Sequence, residues 1–223
     1  MQGEPNDFQL IKEQTMFKDH GHSGRLIAIC GVDGAGKSTL VKGISSELSK
    51  LGFELIITHQ PTNSLRANPL FKSYLYNPEK RESINYNGLL ALMISDRLQH
   101  ITEVIVPALK SGKVVISDRY IFTLLANMKA RGYNESWVYE ICKHILKPDA
   151  TFVLVASIDR IINRILERET FEDSYVERDL LIKSQNEYLW CAKEYDLHTI
   201  KTDDLGIDES VNFAMREINA ILN

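Results

Sequence analysis

The nine residues Gly31-Val32-Asp33-Gly34-Ala35-Gly36-Lys37-Ser38-Thr39 constrain this chain more than any other stretch. They fit G-x-x-x-x-G-K-[ST] throughout and follow the apolar run Leu26-Ile27-Ala28-Ile29-Cys30. Leu40, Val41, Ile44, Leu48 and Leu51 then recur with the spacing of an amphipathic helix. Strand, glycine turn and helix, in that order, is the context in which this motif cradles phosphate. Glycines let successive backbone N–H groups turn inward around an anion, and the N-terminus of the next helix adds its positive end. Gly31, Gly34, Ala35, Gly36, Lys37, Ser38 and Thr39 are therefore the expected residues for binding a nucleoside triphosphate such as ATP. Lys37 is expected to reach the β- and γ-phosphates, and the Ser38 hydroxyl to ligate Mg²⁺.

The rest of the chain is consistent with one domain around that motif. At 223 residues and 44% hydrophobic content it is long enough for one well-buried α/β core and short for two. A net charge of -4 argues against a broad nucleic-acid footprint. Cys30, Cys142 and Cys191 are far apart among apolar neighbours and form no C-x-x-C pair, so buried free thiols in a reducing cytoplasm are expected. The first two dozen residues have no apolar h-region, and no apolar run is long enough to span a bilayer. Residues 1–23 read as a loose polar extension and 24–223 as a single domain.

Apolar runs and helical patterns alternate along that domain, which predicts a parallel sheet with helices on both faces. Strands are expected near 26–30, 53–58, 113–117, 150–155 and 197–201. Helices are expected over 37–50, 70–76, 85–110, 122–131, 135–146 and 159–168. A charged break surrounds 169–174, a helix continues to about 194, and a last one spans 211–222. Asp118 ends the third strand, where a carboxylate can hold Mg²⁺, although Asp after a strand also serves as a helix N-cap. Arg119 beside it lies at the sheet edge where α/β folds bind ligands, and its planar fork suits a second phosphate or a plain ion pair. Arg97, on the long helix, reads either as a functional cation or as a solvated partner of Asp96.

The order and spacing of these segments resemble the thymidylate kinase family. The resemblance is carried by the P-loop, by Ala91–Ile101 with its Asp96-Arg97, by Val115-Ile116-Ser117-Asp118-Arg119-Tyr120, and by Lys147-Pro148-Asp149-Ala150-Thr151-Phe152. It covers roughly residues 25–223 and implies a P-loop NTPase three-layer α/β sandwich: a five-stranded parallel sheet, a small lid near 164–175 and a homodimer. It also implies a reaction, ATP plus a nucleoside monophosphate giving ADP and a diphosphate. By the same resemblance Lys37, Asp33, Arg119 and the lid arginines Arg164 and Arg168 are the catalytic candidates, since Gly34 and Ala35 supply no P-loop arginine. His59, Pro61, Met93, Arg97, Arg119, Tyr120, Thr123 and Asn127 would surround the acceptor, and Ser38 and Asp118 the metal.

Departures from the family pattern cluster on the acceptor side. His59 stands where the family has an arginine, in Thr58-His59-Gln60-Pro61, and Met93 replaces an aromatic that stacks on thymine. Thr123, Asn127 and Met128 stand where the family has Ser and a Tyr-Gln pair, and Thr170-Phe171-Glu172 gives a short lid. Three readings follow: a kinase for dTMP, a kinase of the same fold for another phosphorylated acceptor, or a P-loop ATPase switch with no small acceptor.

Overall fold

The computed structural model of the chain describes residues 17–167 and 177–222. Five strands form one parallel sheet: β1 (Arg25–Cys30), β2 (Leu55–His59), β3 (Val114–Asp118), β4 (Ala150–Val155) and β5 (His198–Lys201). Their order is β2-β3-β1-β4-β5. Parallel neighbours need crossovers, and these are helical, so the strands are covered and read as near-continuous apolar runs. β1 is central, and Leu26 through Cys30 are fully buried. The chain thus has the α/β P-loop fold, with every strand ending at the sheet edge that carries the glycine turn.

The helices are α1 (Lys37–Lys50), α2 (Asn63–Ala67), α3 (Pro69–Tyr76), α4 (Tyr86–His100), α5 (Val106–Lys110), α6 (Ile121–Ala130), α7 (Ser136–Cys142), α8 (Ile158–Leu166), α9 (Arg178–Glu194) and α10 (Ile207–Leu222). The continuous helix expected over 85–110 is divided. Between α4 and α5 the residues Ile101–Ile105 form a π turn in which the Val106 N–H bonds to the Ile101 carbonyl. Pro107 is the cause: it has no N–H to return to Glu103 and its ring would strike that carbonyl. Widening the preceding turn by one residue keeps the helix running. α2 was not foreseen. It starts where the Thr62 hydroxyl accepts from the Leu65 N–H, and Asn68 then caps α3 by accepting from Leu70 N–H at 2.9 Å.

The extension expected to be loose is anchored over its last residues. Phe17 packs edge-on against Phe122, with ring centroids 5.4 Å apart, and against Tyr195. The Lys18 N–H donates to Ile145 at 2.9 Å and Lys147 N–H returns a bond to Lys18 at 2.8 Å, a single parallel bridge. His20 then meets Asp149 at 2.9 Å. Polarity hid this, because one aromatic at position 17 does the packing. Residues 1–16 of the extension lie outside the described residues. All three cysteines are buried and unpaired, as expected. Among the described residues no helix is long and apolar enough to cross a membrane.

Candidate active site

The glycine turn runs from the end of β1 into α1 and is built by backbone conformations that side chains resist. Gly31 has φ of 137°, and a Cβ there would sit 2.5 Å from the Leu154 carbonyl oxygen. Gly34, at φ of 79°, would meet the Ile161 carbonyl oxygen at 2.7 Å. Neither position admits another residue without moving backbone. α1 opens on Gly36 with no side-chain cap, so its first-turn N–H groups are left for an anion, and Ser38 and Thr39 beside them are exposed.

Three charged side chains meet over this turn. Arg119 Nη2 contacts Asp33 Oδ1 at 2.5 Å, and its Nη1 donates to the Gly31 carbonyl at 2.9 Å. Lys37 Nζ donates to the Val32 carbonyl at 2.8 Å and lies 3.5 Å from the same Asp33 oxygen. Arg119, and less strongly Lys37, hold the Asp33 carboxyl well below its usual range against the opposing effect of burial. Burial, and then Arg119, push the Lys37 ammonium down to about 8. A buried cation next to another cation is a place made for a polyanion. Its pKa gives a prediction. With about half of Lys37 neutral at pH 8, a triphosphate that restores its charge should take up about half a proton on binding, and less at pH 7. Calorimetry of ATP binding in two buffers of different ionisation enthalpy measures this directly.

Arg119 holds its position through the backbone. Its φ is 69°, in the left-handed region, and its N–H bonds to the Ile29 carbonyl at 2.8 Å. The turn throws the guanidinium across the P-loop, where Tyr188 on α9 also contacts it at 3.4 Å. Of the two sequence readings of Arg119, an ion pair is what this structure contains, with the P-loop acid as partner. Asp118 immediately before it has one carboxylate oxygen, Oδ1, buried with no hydrogen-bond partner. An unmet buried carboxylate oxygen at the sheet edge, with the exposed Ser38 hydroxyl at the start of α1, is the donor set a hard cation such as Mg²⁺ takes.

On the other side of the edge Arg97 is almost fully buried. Its Nη1 donates to the Met93 carbonyl at 2.8 Å, and its Nε has no partner. Burial pulls its pKa down to about 10, with Asp96 opposing. The pairing with Asp96, one of the two sequence readings, does not form. Asp96 Oδ2 instead accepts from the Thr62 N–H at 3.0 Å, and its Oδ1 from the Thr62 hydroxyl. Among the described residues no carboxylate lies within ion-pair distance of Arg97. His59 is half-buried at the end of β2, opposite Asp118 in register, and its Nδ1 donates to the Pro61 carbonyl at 2.8 Å across a cis Gln60-Pro61 bond. Met93, one turn before Arg97, is partly buried against the core.

Two positions expected at the acceptor lie in the core, and a third is half-buried and bonded within the fold. Tyr120 is fully buried and its hydroxyl donates to the Leu146 carbonyl at 3.0 Å. Thr123 is buried beside Cys30 and Tyr188, and Asn127 accepts from the Ser184 hydroxyl at 3.5 Å, tying α6 to α9. Met128 is likewise in the core. Thr123 and Met128 are there because α6 is apolar around most of its circumference and packs as a core helix, and Tyr120 stands just before it. Tyr120→Phe is therefore expected to cost about 1 kcal/mol of stability, read as a lower Tm, and to leave kcat and KM within about twofold.

From the lid segment, Arg164 on α8 donates from Nη1 to the Gly34 carbonyl at 3.1 Å and to the Thr202 hydroxyl at 3.2 Å. Thr202, just after β5, in turn donates to the Ala35 carbonyl at 3.2 Å. Arg168 and most of the expected lid lie outside the described residues. Sequence reasoning missed Tyr188, Thr202, Gln60 and His100. Only His100 left a sign, closing the segment Asp96-Arg97-Leu98-Gln99-His100 on which the family resemblance rests.

A P-loop at the edge of a 2-3-1-4-5 parallel sheet, faced by the buried Arg97 and the partly buried Arg119, defines a P-loop nucleotide kinase. The sequence profile of the thymidylate kinase family matches residues 29–213, and the chain belongs to that family. It is 33% identical over 162 residues to a thymidylate kinase of Brachyspira hyodysenteriae, covering 71% of this chain and 76% of the relative. It is 31% identical over 173 residues to a probable thymidylate kinase of Thermococcus kodakarensis, covering 76% and 84%. A probable thymidylate kinase of Methanocaldococcus jannaschii is 30% identical over 182 residues, covering 82% and 89%.

Proposed function

We propose that the chain transfers the γ-phosphoryl group of ATP to dTMP, giving ADP and dTDP. The observation that carries this reading is Arg97: a guanidinium taken out of water with an unmet N–H and no carboxylate is at odds with a merely structural role. An acceptor phosphate or its base would supply what it lacks. That argues against the P-loop switch with no small acceptor. The relatives' names favour dTMP over another phosphorylated acceptor, so the departures at His59, Met93 and Asn127 are read as compensated variation.

In this reading the P-loop amides, Lys37 and Thr39 hold the triphosphate, and Ser38 and Asp118 hold Mg²⁺. Bound there, Mg²⁺ would supply positive charge to the phosphate oxygens. Arg119 and Asp33 stand between the two anions, with Asp33 near the acceptor's sugar hydroxyl, while Arg97 and His59 meet its phosphate and base and Met93 covers the base face. A thioether covers less area than a phenyl ring but adapts to it. No strong base is required, because a phosphate monoester is already largely ionised near neutral pH. Arg164, held against the P-loop, is the lid cation proposed to meet the transferred group, with Arg168 the other candidate. A lid over 164–175 excludes water that would hydrolyse ATP. We extend the reading to a homodimer in the cytoplasm, supported by the family resemblance and three free cysteines.

The test is coupled ADP release across dTMP, dUMP, other monophosphates and phosphorylated metabolites. Turnover dependent on dTMP sustains the proposal. Strong ATP turnover with no acceptor, or a preference for a different phosphate, defeats it.

A further inference from the structure

We propose that His100 is a positioning residue for the phosphate acceptor: it fastens the segment Thr58–Thr62 to α4 and so fixes the wall the acceptor meets. The proposal rests on the dTMP reading for its kinetic consequence only. That segment is strung between two surfaces. On one side His59 pairs with Asp118, and the Gln60 N–H donates to the Asp118 carbonyl at 3.1 Å, at the edge that also carries Arg119. On the other, α4 grips it twice. Thr58 Oγ1 and His100 Nε2 are 2.7 Å apart, Gln60 Nε2 and His100 Nδ1 are 3.1 Å apart, and Asp96 takes both the N–H and hydroxyl of Thr62. Arg97 sits in the same turn of α4 as these two grips. Any slip of the segment relative to α4 moves the cation on the helix away from the residues at the sheet edge.

The chemistry of His100 suits this task in one protonation state. With Gln60 Nε2 donating to Nδ1, that nitrogen is bare and the ring proton lies on Nε2, directed at the Thr58 oxygen. The neutral ring has one donor and one acceptor, and the network uses both. Burial holds His100 below its usual pKa; His59 and Arg97 act with burial, and Asp96 and Glu103 against it. Gln60 is fully buried, and its Oε1 already lacks a partner. Taking away His100 would leave the whole buried amide unbonded, which favours release of the segment over retention. His59 cannot substitute, since its bond to the Pro61 carbonyl stays within the segment.

The experiment uses the full chain with His100→Leu, His100→Gln and Thr58→Val. Leucine removes both bonds, whereas a glutamine side chain offers one acceptor and one donor and can replace them. In His100→Leu the KM for dTMP is expected to rise about tenfold with the KM for ATP unchanged, and the Gln60 and Thr62 amides to exchange hydrogen about tenfold faster. His100→Gln should recover most of both, and Thr58→Val should show part of both. Should His100→Leu fail to fold, the glutamine and valine variants carry the comparison. Equal rises in both KM values, or unchanged exchange at Gln60 and Thr62, overturn the proposal. If the unmutated chain forms no ADP from dTMP, the substrate assignment fails, and the exchange measurement still decides the role of His100.

Discussion

Lys37→Ala is expected to lower kcat by about a thousandfold or more, equivalent to ~4 kcal/mol of transition-state stabilisation, while the protein stays folded. The catalytic loss follows from where the ammonium lies. It is buried at the turn, held on the Val32 carbonyl and beside Asp33, and no other lysine shares this position among the described residues. The fold survives because the substitution leaves no stranded charge. Asp33 keeps its 2.5 Å contact with Arg119, and a cation already strained by burial and by Arg119 is gone. Steady-state kinetics with ATP and dTMP, alongside thermal unfolding, separate the two statements. Activity within tenfold of the unmutated chain would mean the turn does not grip the transferred phosphate.

Arg97→Met should move function and stability in opposite directions. Charge-assisted hydrogen bonds from a buried guanidinium to a phosphate or base are worth about 1.5–3 kcal/mol, so the KM for dTMP should rise roughly ten- to a hundredfold. The KM for ATP should hardly change. Without ligand, however, Arg97 is an unpaired buried cation whose Nε has no partner. A flexible apolar side chain of similar length fills the same space, and such replacements of buried charge are neutral or stabilising by about 1–4 kcal/mol. A variant with a higher Tm and a poor acceptor KM is the expected result. A lower Tm with unchanged kinetics would make Arg97 a structural residue.

What the sequence made legible divides along physical lines. The strands and the P-loop could be read because burial on both faces forces apolar runs, and because Gly31 and Gly34 occupy backbone conformations with room for nothing else. The fate of Arg97 could not be read. Asp96 next to it advertised a local ion pair, and the competitor that claims that carboxylate, Thr62, lies 34 residues away. Tyr120 misled for a related reason. It follows Asp118 and Arg119 in an unbroken motif, but the left-handed turn at Arg119 sends the next side chain back into the core. Periodicity gave the long helix as continuous, and it took no account of Pro107, whose missing N–H widens the turn before it. His59, Met93 and the acceptor loop looked like losses from the family pattern when read singly. In three dimensions that loop is secured by Asp96 and His100, which lie in the segment that carries the family resemblance but were given no such part by it.

The left-handed backbone at Arg119 sets evolution a choice. A residue with a Cβ bears about 1–3 kcal/mol of conformational strain there, and glycine would bear almost none. Selection for heat resistance alone would drift toward glycine at 119 and lose the guanidinium that spans the P-loop. The arginine there gives up conformational ease to hold its guanidinium across the P-loop, between Asp33 and the Gly31 carbonyl.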